Sequence, residues 1–592
     1  MKHTNSLTLR IISLILVLIT LALFCSCNTN NEPLGEPTDA ITDKETEKAT
    51  EGKKEYNDGK LRIFADGHYY CDIVRPEGAT GNELALYTSI RNLFKEITGV
   101  MPPMASDFLG SGESYDSGKF EILIGETKHT ESKKHYDSLD YSEFSAQLID
   151  KKYVIGFHDM TTAEAALNKL RSLLVNNFKN GELILDETWS YSYSENEVLE
   201  SFPKYDGGSF DNVYGGAYGM QTVVIKNTNA DEYKAYLDKI TTEGFSYYTD
   251  NTIGNNLFAT YQNEKYYMSA MYFANINEVR LTLEYTGNYS LPSLKGENVY
   301  TSKGIAASIT QIGLEESGQI QNGMSYVIKL DDGSFIVIDG GTGTAGTKKQ
   351  FVEVLQSLSD DPEHLHIAAW IITHAHGDHM GLIFTVLYDE QYAGLFEVNQ
   401  IIWSKVSEEQ LKNIGGGNMD YVDKAFAKLE GTKIVIAHPG QVFYIRNAVY
   451  TVYATIEMVE PLVLDNLNDS SVVGMLEIEG KAILFPGDSH PTETGVIISV
   501  FGEALKADAV QIIHHGYQGG SDAFYSLVDP LTVFWPLGMK NYSTAEAPNT
   551  PMKDWSFSRW IFSDSSKVEN IYVAGSEVLT LPISELPSHT AE

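Results

Sequence analysis

Three histidines and an aspartate fall within six positions: His374, His376, Asp378 and His379. They follow an apolar run, 367–372, that reads as a buried strand. Imidazoles spaced i, i+2 on an extended segment point to one side, so His374 and His376 can hold one cation. Asp378 and His379 come after a glycine turn and can reach a second cation beside it. Imidazole with carboxylate is the donor set of zinc, or of manganese or iron where oxygen donors dominate. A solvated polar loop is the competing reading. It does not account for so many metal-ligating side chains at the end of a buried strand.

Acid and imidazole recur downstream in Asn468-Asp469-Ser470-Ser471, in Pro486-Gly487-Asp488-Ser489 and in His514-His515-Gly516. Taken with His-x-His-x-Asp-His, these motifs resemble the metallo-β-lactamase superfamily of metal-dependent hydrolases, in its competence-type (ComEC-like) branch. The resemblance covers roughly residues 305–585, under half the chain. It implies two divalent metal ions, zinc or else manganese or iron, and metal-assisted hydrolysis in which Asp378 orients the attacking water. Asp488 is the candidate bridging carboxylate, with Gly487 allowing close backbone approach. A turn Asp capping the following helix is the plainer alternative for it. His514 and His515 occupy adjacent strand positions, so one faces the site and the other turns aside. The resemblance assigns His515 to the second metal and His514 to the substrate's leaving or phosphoryl oxygens. Many relatives supply a third histidine to the first metal between the first motif and the bridging Asp. Here that interval holds only His438, which reads as part of a loop before a strand. The remaining ligand of the first metal is His438, Asp469 or water.

The elements that must position these residues come in two matching halves. Strands at 324–330 and 334–339 flank the turn Asp331-Asp332-Gly333, and a helix at 348–358 leads to the His374 strand. Strands at 471–478 and 482–485 flank Glu479-Gly480-Lys481, and a helix at 493–505 leads to a strand at 509–513 before His514. Hairpin, helix and strand, twice over, match the αββα sandwich that the resemblance implies.

The fold class expected for the chain is therefore α/β (α+β) and multidomain: a C-terminal αββα metallo-β-lactamase sandwich at 305–585, preceded by two smaller α+β domains. The first, 60–200, carries a helix at 83–98 and another at 161–175, with Thr161 and Glu164 as a capping box. Its Ile122-Leu123-Ile124-Gly125-Glu126-Thr127 is similar to the small domain that precedes the catalytic domain of α-glucuronidases. His129, His135 and His158 are scattered through it as expected surface residues. The second, 205–295, has a polar helix at 231–243 and alternating aromatic strands. These either pack against that helix or stack on sugars, and packing is the commoner arrangement.

With 592 residues and 43% hydrophobic side chains, the chain has ample material for packed cores. A net charge of −37 opposes polyanions and makes nucleic acid an unlikely partner. Residues 1–27 read as a lipoprotein signal peptide: Lys2 and Arg10, an apolar run at 11–24, then Cys27 as the lipidation site. Residues 28–58 are polar and read as a disordered tether. Three cysteines, Cys25, Cys27 and Cys71, leave Cys71 without a partner, so no disulfide framework is expected. The address implies an extracytoplasmic protein held to the bacterial cell membrane by its lipid. A phosphoester or phosphodiester, for example in a cell-wall polymer, is the expected substrate. An extracellular nuclease and a glycan-binding lipoprotein with an auxiliary metal domain are the alternatives.

Overall fold

In the C-terminal half, two hydrophobic sheets lie face to face. The computed structural model describes residues 53–589, except positions 80, 112–113, 187–188, 195, 288, 314–322, 417–418, 461, 544–551 and 576. The signal peptide, Cys27 and nearly all of the tether thus lie outside the described residues.

The first sheet has the order Lys433–Ile436, Gln400–Trp403, Leu365–Ile371, Phe335–Asp339, Ser325–Lys329, Ser308–Ile312, Val578–Pro582. The second runs Val442–Ile445, Ala448–Ala454, Val473–Ile478, Lys481–Phe485, Ala509–Gln511, Thr532–Trp535, Asn570–Val573. Alternation along the strands sends one set of side chains between the sheets. Ile309, Tyr326, Ile336, Ile338 and Ile371 meet Phe443, Tyr450, Leu476, Ile483 and Phe485 there. The other set packs outward under helices. Val337 and Trp370 lie under Ala345–Leu358 and Gly377–Leu387, and Leu484 and Val510 lie under Pro491–Phe501 and Asp522–Val528. Helix, sheet, sheet, helix is the resulting layer order. In each half a hairpin's second strand runs parallel to the next strand, Phe335–Asp339 beside Leu365–Ile371 and Lys481–Phe485 beside Ala509–Gln511. Strand ends from both halves consequently emerge at one edge of the sandwich.

The preceding 209–285 region is a six-stranded antiparallel sheet with one face on the helix Ala230–Thr242. Its aromatics pack against that helix: Tyr233 stacks on Tyr272 at 5.8 Å and donates its hydroxyl to Ala270 O at 2.9 Å. Asn229 caps the helix through Asp231 N and Glu232 N. The sheet's other face lies on the sandwich, where Phe258, Met271 and Phe273 join Val500 and Phe501. Polar groups fill the rest of this junction. His438 Nδ1 lies 2.6 Å from Glu457 Oε2, and its Nε2 lies 3.1 Å from Glu284 Oε1. Arg280 reaches Glu278 at 2.7 Å and the Glu460 carbonyl at 2.5 Å.

Nearer the N-terminus, a mixed six-stranded sheet and a four-stranded antiparallel one pack with the helices Gly81–Thr98 and Met160–Asn177. The second helix starts one residue before the expected capping box, and Asp159 caps it by accepting from Thr162 N at 2.9 Å. Cys71 is buried and forms no disulfide among the described residues. The histidines of this region are not surface residues. His129 and His135 are buried, with His129 Nδ1 3.1 Å from Thr127 Oγ1 and His135 Nδ1 2.6 Å from Gln147 Nε2. His158 packs on Phe210 with ring centroids 3.8 Å apart, and burial pushes its pKa down to about 3. Isolated histidines surrounded by polar residues gave no periodic signal that their segments face inward.

Candidate metal centre

The strand Leu365–Ile371 ends just before His374, and the helix Gly377–Leu387 begins just after His376, which occupies its N-cap position. Asp378 and His379 therefore sit on the first helical turn and not in a free loop. A carboxylate there is favoured by the positive end of the helix. His374 and His379 are buried, while His376 and Asp378 are half-buried. His374 Nε2 lies 3.0 Å from His376 Nδ1.

The second half arrives from the opposite sheet. Asp488 follows the strand Lys481–Phe485, and Gly487 before it has φ 58°, where a Cβ would meet Thr373 Cβ and Ser471 Oγ at 3.0 Å. That close approach brings Asp488 Oδ2 to 3.0 Å from His379 Nε2, 3.3 Å from His515 Nε2 and 3.9 Å from His374 Nε2. His514 and His515 do not follow strand alternation. Their strand ends at Gln511, and both residues take left-handed backbone angles, φ 48° and 53°. Both rings consequently turn toward the site. His515 Nε2 is 3.3 Å from His379 Nε2 and 3.6 Å from Asp378 Oδ2, and His514 Nε2 is 3.1 Å from Asn468 Nδ2.

Among the described residues, two sets of donor atoms at this centre lie close enough to hold cations: His374, His379 and Asp488, and Asp378, His379 and His515. Partners outside the centre set the ring orientations. His379 Nδ1 is 2.7 Å from Asp339 Oδ2, and His515 Nδ1 donates to Pro536 O at 2.8 Å. Both Nε2 atoms are thereby turned toward Asp488. Asp339 is itself fixed by Thr373, whose N–H and hydroxyl donate at 2.8 and 2.7 Å. Facing Nε2 atoms 3.3 Å apart need a proton or a cation between them. Asp488 Oδ1 is buried with no hydrogen-bond partner among the described residues. An orphaned carboxylate oxygen among convergent imidazoles fits divalent metal, with His374, Asp378, His379, Asp488 and His515 as the residues to hold it, whereas His376, expected to share a cation with His374, joins neither set.

Electrostatics follow the same layout. Burial lowers His379, but the Asp488 and Asp339 carboxylates outweigh it and hold its pKa well above the ordinary range. Burial likewise opposes His515, and Asp488 and Asp378 bring it to about 9. Burial raises Asp488 and Asp378, yet His379 and His515 hold both below the usual carboxylate range. His374 and His376 are lowered, chiefly by burial, and His514 falls to about 4 for the same reason.

Neither named side chain completes the first donor set. His438 has both ring nitrogens engaged by Glu457 and Glu284 in the junction with the middle sheet. Asp469 accepts from Asp465 N at 3.0 Å and Glu493 N at 2.9 Å, and it groups with Asp465 and His490 instead. Sequence reasoning missed His490, and it named Asn468 in a motif and Asp339 at a strand end without giving either a role at the centre. Asp339 had a signal, a carboxylate before Gly340-Gly341 at a strand end.

Residues 320–393 match the family model of the metallo-beta-lactamase superfamily, and the C-terminal region has the mixed α/β sandwich of that fold. No curated protein sequence matches the chain. Among solved structures, the metallo-beta-lactamase fold protein YhfI from Bacillus subtilis is 14% identical with a TM-score of 0.30, covering 47% of this chain and all of its own. CmlA, a diiron beta-hydroxylase from Streptomyces venezuelae, is 13% identical with a TM-score of 0.30 over 47% of this chain. The chain spans about half the length of CmlA, 54%. Unliganded yeast PDE1 is 12% identical with a TM-score of 0.28, covering 47% of this chain and all of its own.

Proposed function

We propose that the chain is a metal-dependent hydrolase of phosphoester or phosphodiester bonds, anchored outside the cell membrane through Cys27. The observation that carries the hydrolase reading is the convergence of His374, His379, Asp488 and His515, from both halves of the sandwich, around an unpartnered carboxylate oxygen. Divalent cations held there supply Lewis-acid polarisation and a lowered pKa for water. The protein's own groups do the rest. Asp378, ionised and half-buried, would accept a hydrogen bond from the attacking water at its carboxylate and so orient it. His514 is neutral at pH 7 and, held by Asn468 donating to Nε2, borders the centre where the leaving or phosphoryl oxygens of the substrate would lie. The helix Gly377–Leu387 begins beside the centre, and its positive end favours an anionic ester over a neutral one. The lipid anchor and a wall-polymer substrate rest on the sequence alone.

The test is metal content of the full chain followed by turnover of bis-p-nitrophenyl phosphate, a lactone and single-stranded DNA. Bound divalent metal and hydrolysis of the diester, lost in Asp488→Asn with circular dichroism unchanged, is the expected result. Lactone hydrolysis alone would replace the substrate class, preference for DNA would favour the nuclease, and absence of metal would remove the hydrolase reading.

A further inference from the structure

Beside the centre lies a second group of acid and imidazole that the hydrolytic reading does not use. We propose that Asp465, Asp469 and His490 form an additional divalent-cation site at the His514 edge of the centre. Their donor atoms lie within 4.8 Å of one another. Asp469 and His490 are buried, and Asp465 is exposed, which gives a cation a route in from solvent.

Helix capping explains part of this arrangement. Asp469 Oδ1 accepts from Glu493 N at the start of Pro491–Phe501, and Oδ2 accepts from Asp465 N. Capping leaves two other buried groups unexplained. Glu493 is fully buried next to Asp469, and neither of its carboxylate oxygens has a hydrogen-bond partner among the described residues. His490 Nδ1 is likewise buried without a hydrogen-bond partner among the described residues, 3.8 Å from Asp465 Oδ2. Burying the Glu493 carboxyl beside that of Asp469 carries a desolvation and repulsion cost that a divalent cation would offset. Burial, followed by mutual repulsion with Asp469, raises Glu493, and burial raises Asp469. One imidazole with several carboxylates suits manganese, or zinc at lower oxygen count.

Position gives the site its consequence. The His490 ring lies 5.4 Å from that of His514. Asn466 Nδ2 reaches His490 Nε2 at 3.4 Å while Asn468 Nδ2 reaches His514 Nε2, so one short turn touches both groups. A cation held by Asp465 and Asp469 pins that turn, and with it the amide that orients His514.

The experiment is a manganese titration of the metal-free full chain followed by electron paramagnetic resonance, repeated with zinc by equilibrium dialysis. Asp465→Ala and His490→Gln should each bind one equivalent fewer than the wild type with at least one of the two metals, while Asp488→Asn reduces the count independently. Equal stoichiometry in wild type and Asp465→Ala for both metals would overturn the site, whatever the number bound at the main centre. If Asp465→Ala alters the circular dichroism, the same comparison with His490→Gln decides.

Discussion

His379 illustrates how one side chain is made into a ligand. One ring nitrogen is held by Asp339, and the other is thereby aimed at Asp488 and His515. Such outer carboxylates fix the ring's tautomer and increase its basicity. Asp339→Asn keeps the shape and removes the charge, so metal affinity should fall about 10–100-fold with the fold intact, measured by competition with a chromogenic chelator. Unchanged affinity would mean that the carboxylate merely satisfies Thr373. Types and spacing made His374, His376, Asp378 and His379 legible because all four lie in one short stretch. Asp339 was legible only as a strand-end carboxylate, because no local pattern says that it will meet a ring forty residues later.

At the scale of elements, the helix Pro491–Phe501 links the centre to the middle sheet. Its first turn carries Glu493, and near its other end Val500 O accepts from Asn256 and Asn275 at 3.1 and 2.9 Å. The buried triad Glu284–His438–Glu457 closes the same junction. Burial opposes the charge on His438, yet the two carboxylates hold its pKa well above the ordinary range. A raised imidazole contributes stability that is fully present below its unfolded value, about 6.5, and is lost as pH rises through the folded one. His438→Gln strands two buried acids and should cost about 3–5 kcal/mol. Denaturant unfolding should show the largest deficit near pH 6 and a shrinking one in alkali; a deficit independent of pH would mean that His438 is neutral there. The sequence placed His438 in a loop before a strand, and could not show which acids face it.

The whole chain carries a net charge of −37, and any anionic substrate approaches against that field. Added salt screens the repulsion, with a Debye length near 10 Å at about 0.1 M. For bis-p-nitrophenyl phosphate, kcat/KM should therefore rise several-fold between about 10 and 200 mM salt. A fall over that range would reveal a local basic approach that the overall charge conceals.

Periodicity and motif density were enough to read the α/β sandwich class, its paired hairpin–helix–strand plan and a cluster of metal-ligating residue types, because each is a local property of the chain. Three features were decided only by the tertiary structure. Left-handed backbone at His514 and His515 turned both rings inward where alternation would have separated them. Packing buried His129 and His135, and it set His438 against Glu284, 154 residues away. Strand Val578–Pro582 returned to pair with Ser308–Ile312, closing the first sheet with the chain's far end. Ring directions and cross-sheet partners depend on where separate segments meet, which no short window of sequence records.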